Sequence, residues 1–169
     1  MRITDTHVYF YGGPAIYSNW YSNPENPRQF LRKNHWFANT EQAFMYEKAL
    51  IFDDYEMAEK ILLTPNPKEV KALGRQIKNF DAEIWSDVAR GVMTSVNLDK
   101  YCQNPLFEKE LLKTGNRILV EASPYDKIWG VGLHYTDDAI LDEKNWVGKN
   151  WLGKALMNVR ELLKQLNQP

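Results

Sequence analysis

Residues 121–160 open with EASPYDKIWGVGLHY (Glu121–Tyr135), cross a short acidic insert and close with NWVGKNWLGKALMNVR (Asn145–Arg160). Just ahead of this stretch, Arg117–Ala122 carries the apolar run Ile118-Leu119-Val120, the clearest strand in the chain. At its far end, Leu152, Ala155, Leu156, Val159 and Leu163 share one face of a helix predicted over about Asn150–Leu166. A strand that passes through turns into an amphipathic helix, in a chain rich in helical periodicity, predicts an α+β fold. That fold is mainly helical, a single domain with a few short strands. The turns Trp129-Gly130-Val131-Gly132 and Trp146-Val147-Gly148 hold more Gly, Trp, Asp and Asn than a core needs. They predict a pocket for a flat or phosphorylated ligand. Glycines admit close approach, tryptophans offer stacking faces, and a helix N-terminus offers N–H groups to an anion.

Upstream, Thr6–Tyr11 reads as a strand ended by Gly12-Gly13-Pro14. Residues 15–34 read as turns, with Asn-Pro at 23–24 and 26–27 and a short extended piece at Gln29–Leu31. Thr40 is placed to cap a helix over Glu41–Leu63, ended by Thr64-Pro65-Asn66-Pro67. Pro67 starts a short helix to about Leu73 with Gly74 as its stop, and Asp81 caps a long one to about Tyr101. In that long helix Ile84, Trp85, Val88, Val92, Met93 and Val96 keep helical spacing. Asn104-Pro105 starts a further helix that stops at Thr114-Gly115.

The 169 residues allow a sizeable core, and a 44% hydrophobic, 25% charged composition is that of a globular protein. With a net charge of -1 and no basic block, free double-stranded nucleic acid is not the expected partner, since backbone affinity needs clustered Lys and Arg. One cysteine, Cys102, forms no internal disulfide, and His7, His35 and His134 lack ligand-like spacing, so no metal site is expected. No signal-peptide pattern or membrane-length apolar run stands out, which predicts a cytoplasmic protein.

Several residues carry candidate chemistry beside a plainer reading. Glu41, at the head of its helix, feels the positive end of the macrodipole, and Lys48, seven positions on, lies at nearly the same angle. The plainer reading makes them a solvent-facing capping Glu and a surface Lys. Trp85 reads as a core Trp or a stacking face, and Arg75 as a carbonyl cap or a phosphate ligand. Glu121 and Asp126 flank a Trp-Gly turn and could divide acid, base or charge-stabilising roles in a glycosidic cleavage, or pin the loop through backbone N–H groups. Asn150 fits an N-cap. Gly153 costs its helix on the order of 1 kcal/mol, which calls for a packing or ligand reason. A structural salt bridge accounts for Arg160.

In order, Tyr17-Ser18-Asn19-Trp20, Trp36, Thr40-Glu41-Gln42-Ala43, Lys48-Ala49, Gly74-Arg75, Trp85, Arg90, Met93 and Lys100 resemble the front half of the NADAR family. Thr114-Gly115, Leu119-Val120-Glu121, Asp126, Trp129-Gly130, Gly132, Gly148, Asn150, Leu152-Gly153, Met157 and Arg160 continue the resemblance, which spans about residues 8–165. It implies a mostly helical α+β domain that hydrolyses a bond between ribose C1 and a nitrogen, with no cofactor. Members of the family act on riboflavin-pathway intermediates or remove ADP-ribose from guanine in nucleic acid. The resemblance makes Glu41 the first choice for catalysis, places Trp85, Glu121 and Asp126 at or near the pocket, and matches Lys48 to a recurrent lysine. Some members are thought to form a Schiff base with a lysine.

Two positions depart from the family pattern: Gln42 stands where His is frequent, and Trp20 where Phe is frequent. Gln cannot shuttle a proton, which counts against any mechanism that needs that His. On this reading Ser18, Asn19 and Asn150 hydrogen-bond sugar or phosphates, Arg75 supplies charge, and Trp85 and Trp129 stack on the base, with Trp20 tuning that stacking. Gly130, Gly132 and Gly153 allow close approach. The expected partner is a small N-riboside or an ADP-ribosylated nucleotide, carried if at all on a short single strand. The competing expectations are a non-catalytic ADP-ribose-binding module and a plain helical scaffold.

Overall fold

A computed structural model describes residues 1–23 and 25–168, so the turn expected at Asn23-Pro24 lies partly outside the described residues. The fold is α+β and mainly helical, and the chain divides into two units, Met1–Ser18 with Pro105–Pro169, and Asn19–Asn104. No helix among the described residues is long and apolar enough to cross a membrane.

The first unit is built on a three-stranded sheet. β1 (Arg2–Ile3) runs antiparallel to β2 (His7–Phe10), and β2 runs parallel to the strand Ile118–Glu121, named β5 in chain order. All four residues of β2 are buried, as a central strand of β-branched and aromatic residues should be. Tyr9 and Val120 pair across the two strands and join Ala122, Val131 and Ile140 in one apolar cluster. Two α-helices among the described residues belong to this unit. The Pro105–Leu112 helix (α5) and the Trp151–Leu166 helix (α6) pack together, and α6 also lies against β5.

In the second unit a hairpin of β3 (Phe30–Arg32) and β4 (His35–Phe37) turns through Lys33 and Asn34, both at positive φ. Two consecutive positive φ values are the signature of a tight primed turn, which Asn tolerates well. Arg32 ties the hairpin to the helices. Its Nε donates to Glu47 Oε1 at 2.7 Å and its Nη1 to Ser95 Oγ at 3.0 Å, and it also pairs with Asp99.

The helices of this unit are α1 (Thr40–Ile51), α2 (Tyr55–Leu62), α3 (Pro67–Gly74) and α4 (Ala82–Cys102). Every residue from Thr40 to Ala49 is buried, and α1 packs against α2, α3 and α4. The single helix expected over Glu41–Leu63 is two helices. The chain turns at Asp53, φ 54°, and Asp54 accepts the Met57 N–H to cap α2. At α4 the expected Asp81 cap is present, accepting from Glu83 and Ile84. Its apolar stripe is buried only in part: Met93 and Val96 are fully buried, whereas Ile84 and Val88 face solvent.

Candidate active site

The head of α1 gathers the first set of polar groups. Asn39, rather than Thr40, is the N-cap, accepting the Gln42 N–H at 2.9 Å. Glu41 follows in the first turn, where the macrodipole favours its carboxylate, and its own N–H donates to the Asn19 carbonyl at 2.9 Å. Glu41 is only 6% exposed, so the plain reading of a solvent-facing cap does not hold. Beside it, Asn19 Oδ1 and Thr40 Oγ1 are buried without a hydrogen-bond partner. Buried polar atoms are nearly always paired, so two unsatisfied oxygens beside a buried carboxylate are unusual in a protein interior.

Two turns along, Lys48 is also buried, which overturns its plain reading as a surface lysine. Its Nζ donates to the Gly74 carbonyl at 2.8 Å and stands 4.2 Å from the Phe80 ring centre and 5.6 Å from that of Trp85. Burial lowers its pKa below the usual lysine value, because desolvation penalises the ammonium. Trp85 packs at 5.0 Å on Phe44 and at 6.4 Å on Phe52, and Phe52 meets Phe80 edge-on at 5.3 Å. The lysine thus sits in an aromatic setting with one carbonyl to orient it. An amine so placed is more readily neutral, and a neutral amine is the nucleophilic form.

Gln42 does not face this chemistry. Its Oε1 accepts the Ala38 N–H, and its Nε2 lies 3.0–3.1 Å from the carbonyls of Ile61, Leu62 and Thr64 at the end of α2. The residue is a C-terminal cap of the next helix, so the change from His removes no proton shuttle from this site. Asn19 meets the head of α1 through its carbonyl, Trp20 follows it in the chain, and Arg75 caps α3 through its backbone while its side chain lies exposed. Trp20 and Arg75 line the same groove, of about 650 Å³.

The remaining expected residues belong to the other unit. Ser18 is buried in a turn closed by its N–H to the Ala15 carbonyl. Glu121 is buried at the end of β5. Asp126 accepts the N–H groups of Ile128 (3.0 Å) and Trp129 (2.8 Å), which is the loop-pinning role, and Trp129 meets Trp151 edge-on at 5.6 Å. At Gly130 a β-carbon would come within 2.9 Å of the Glu121 carbonyl, and at Gly153 within 2.0 Å of the Leu119 carbonyl. These glycines admit the protein's own backbone. Gly132 turns the loop at φ 79°.

Asn150 does not cap α6 with its side chain: it sits at φ 52°, its Oδ1 accepts the Glu121 N–H and its Nδ2 donates to the Leu119 carbonyl. The first N–H groups of α6 donate to the Ile128 and Trp129 carbonyls, so this helix start does not offer them to an anion. Arg160, expected in a salt bridge, also donates to Thr114 Oγ1 and to the Arg117 carbonyl, both at 2.8 Å.

The NADAR domain family model matches residues 9–164, across both units. The chain belongs to the NADAR family. An N-glycosidase of Acanthamoeba polyphaga mimivirus is 40% identical over 94% of this chain and 96% of its own length. A riboflavin biosynthesis protein of Vibrio vulnificus is 32% identical over 71% of this chain, a match that covers 30% of that larger protein. Among solved structures, the NMR structure of the E. coli protein YbiA superposes with a TM-score of 0.76 at 25% identity, covering 99% of this chain and 92% of that one. These relatives place this NADAR protein among glycosylase-class enzymes, as an N-glycosidase-type hydrolase.

Sequence reasoning missed Phe80, half-exposed over the Lys48 amine, and the orphaned Thr40 hydroxyl. Phe80 precedes the α4 cap and belongs to no periodic stripe, so no sequence signal marks it. That reasoning matched Lys100 to the family pattern but gave it no role; the residue is fully buried on α4 at 5.7 Å from the Tyr21 ring, with its pKa lowered by burial to about 7.

Proposed function

We propose that this NADAR protein cleaves the bond between a ribose C1 and a base or amine nitrogen, using Glu41 and Lys48. The substrate is an ADP-ribosylated guanine or a ribosylamino-pyrimidine phosphate. The observation that carries the reading is the buried Lys48 amine, its pKa depressed, on the same side of α1 as a buried carboxylate flanked by orphaned Asn19 and Thr40 oxygens. About 10 Å of helix axis separates the two residues, a span that two side chains and a ribose can fill.

The ribose opens as its C1–O4′ bond breaks, O4′ takes a proton and C1 becomes doubly bonded to the base nitrogen. The neutral Lys48 amine adds to C1, the proton lost by the amine goes to the base nitrogen, and the C1–N bond to the base breaks to leave a C1=N imine to Lys48. Water then adds to C1, the C1–N bond to Lys48 breaks, and the free sugar aldehyde leaves. The Glu41 carboxylate carries that proton from the amine to the leaving nitrogen and then serves as the base that activates water. Positive charge on the opened sugar is favoured beside a carboxylate, which binds the transition state more tightly than the ground state. Trp85 offers a stacking face for the base.

Borohydride added during turnover should trap a covalent sugar adduct, read by mass spectrometry and absent in Lys48→Gln. Glu41→Gln should lower kcat by about 10²–10⁴. Full hydrolysis of both substrate types by Glu41→Gln, or an adduct that persists in Lys48→Gln, sinks the assignment.

A further inference from the structure

Phe80 is 46% exposed, yet its ring stands over the buried Lys48 amine. It is carried by residues 76–81, between α3 and α4, and this segment is fastened to the turn between α1 and α2. The Lys78 N–H donates to Asp54 Oδ2 at 2.8 Å, and Asn79 Nδ2 donates to the Phe52 carbonyl at 3.3 Å. Ile77 is buried, and Asn79 takes φ 56°, a left-handed conformation that Asn tolerates better than most residues. These anchors set the Phe80 ring edge-on to Phe52 at 5.3 Å, with its centre 4.2 Å from Lys48 Nζ. The same amine donates to the Gly74 carbonyl at 2.8 Å. That carbonyl comes so near α1 because Gly74 has no side chain: a β-carbon there would lie 2.1 Å from Met45 Sδ.

We propose that Phe80 is a positioning residue for the cleavage: its ring shields the Lys48 amine from water while the Gly74 carbonyl orients it. The inference rests on the reading above, in which Lys48 is the nucleophile. An amine left in water is protonated near neutral pH and does not attack, and excluding water favours its neutral form. A ring over a cation also pulls the other way, because its π face attracts the ammonium. Magnitudes decide between the two. Complete burial can move a lysine's titration by about three to five pH units, whereas a cation over a phenyl face is worth about one. Removing the cover should therefore make the amine more basic. Charged groups on the surrounding elements are engaged elsewhere. Glu47 on α1 pairs with Arg32 and Lys33, Asp54 takes the Met57 and Lys78 N–H groups, Lys78 pairs with Glu56, and Asp81 caps α4. Glu41 stands about 10 Å back along α1, and Lys71 and Arg75 lie on either side of Gly74 in the chain, yet it is burial that lowers the Lys48 pKa.

An NMR titration of the full chain, made with isotope-labelled lysine and with the Lys48 signal assigned from Lys48→Arg, reads the amine without any substrate. Phe80→Ala should raise the Lys48 midpoint by about one pH unit. Phe80→Leu, which keeps an apolar cover without a π face, should leave the midpoint in place or lower it. The acid limb of the kcat/KM profile for N-riboside hydrolysis should follow the midpoint in each variant, with hydrolysis at neutral pH down about tenfold in Phe80→Ala. Should Phe80→Ala not fold, Phe80→Val uncovers the amine in part and is expected to move the midpoint the same way. A midpoint unchanged in Phe80→Ala makes Phe80 a packing residue only, and one that falls makes its π face, rather than its cover, the working part; either overturns the proposal. Midpoints that move as expected in a protein that cleaves no N-riboside leave the cover standing and remove the proposed reaction. An acid limb that ignores a moved midpoint removes Lys48 as the nucleophile, and with it this role of Phe80.

Discussion

An alanine at Gly153 would put its β-carbon 2.0 Å from the Leu119 carbonyl oxygen, a distance that only movement of α6 off β5 can relieve. Gly153→Ala gains about 1 kcal/mol of helix propensity, yet overpacking against backbone costs roughly 1–3 kcal/mol or more. A net loss of stability is expected, seen as a lower urea midpoint. Sequence alone marks Gly153 as needing a reason but not which one, because the Leu119 carbonyl comes from another element. Asp126 poses the same question with a cleaner test. Its Oδ1 accepts two loop N–H groups, and Asn keeps that acceptor while removing the charge. Asp126→Asn should hold the wild-type urea midpoint within about 0.5 kcal/mol, whereas Asp126→Ala should lower it by about 0.5–2 kcal/mol. If Asp126→Asn also keeps full N-riboside hydrolysis, the carboxylate serves the loop alone.

Between Glu41 and Leu63 the local pattern reads as one helix, and the structure breaks it with bonds that come from a distance. Asp54 caps α2 through the Met57 N–H and also accepts the Lys78 N–H at 2.8 Å, joining the start of α2 to the chain after α3. Nothing in a window of neighbouring residues shows that second bond. Removing both acceptors in Asp54→Ala should cost on the order of 1–3 kcal/mol, checked by chemical denaturation, with Asp54→Asn recovering part of it. Elements that carry their own punctuation were legible: Asp81 ahead of α4, Pro67 at the start of α3, and the Ile118-Leu119-Val120 run of β5. The two-residue β1 and three-residue β4 were not, because strands so short owe their existence to a partner rather than to propensity. The candidate site divides in the same way. That Glu41 and Lys48 share one side of α1 is readable from helical spacing, while their burial, the Phe80 ring over the amine and the orphaned Asn19 oxygen depend on tertiary placement.

For the molecule as a whole, the formal charge of -1 says little about where charge does its work. It averages away Lys68, Lys71 and Arg75 along α3 and gives no hint that one lysine, Lys100, is wholly buried. Burial lowers the folded-state pKa of Lys100 to about 7, well under the 10.5 of an ordinary lysine. Between those two values the unfolded chain holds a proton that the folded chain has released. Stability therefore rises with pH across that window, and below about pH 7 the fold bears the whole cost of keeping the buried amine charged. A difference of this size corresponds to at most a few kcal/mol. The urea midpoint of wild type should climb from pH 7 to pH 9.5. Lys100→Met, close in length and without a charge, should flatten that climb and gain most stability near pH 6–7, where the ammonium is most costly. A Lys100→Met curve that runs parallel to wild type across this range would mean that the lysine keeps its proton through favourable partners. Its burial would then no longer account for any pH dependence of the fold.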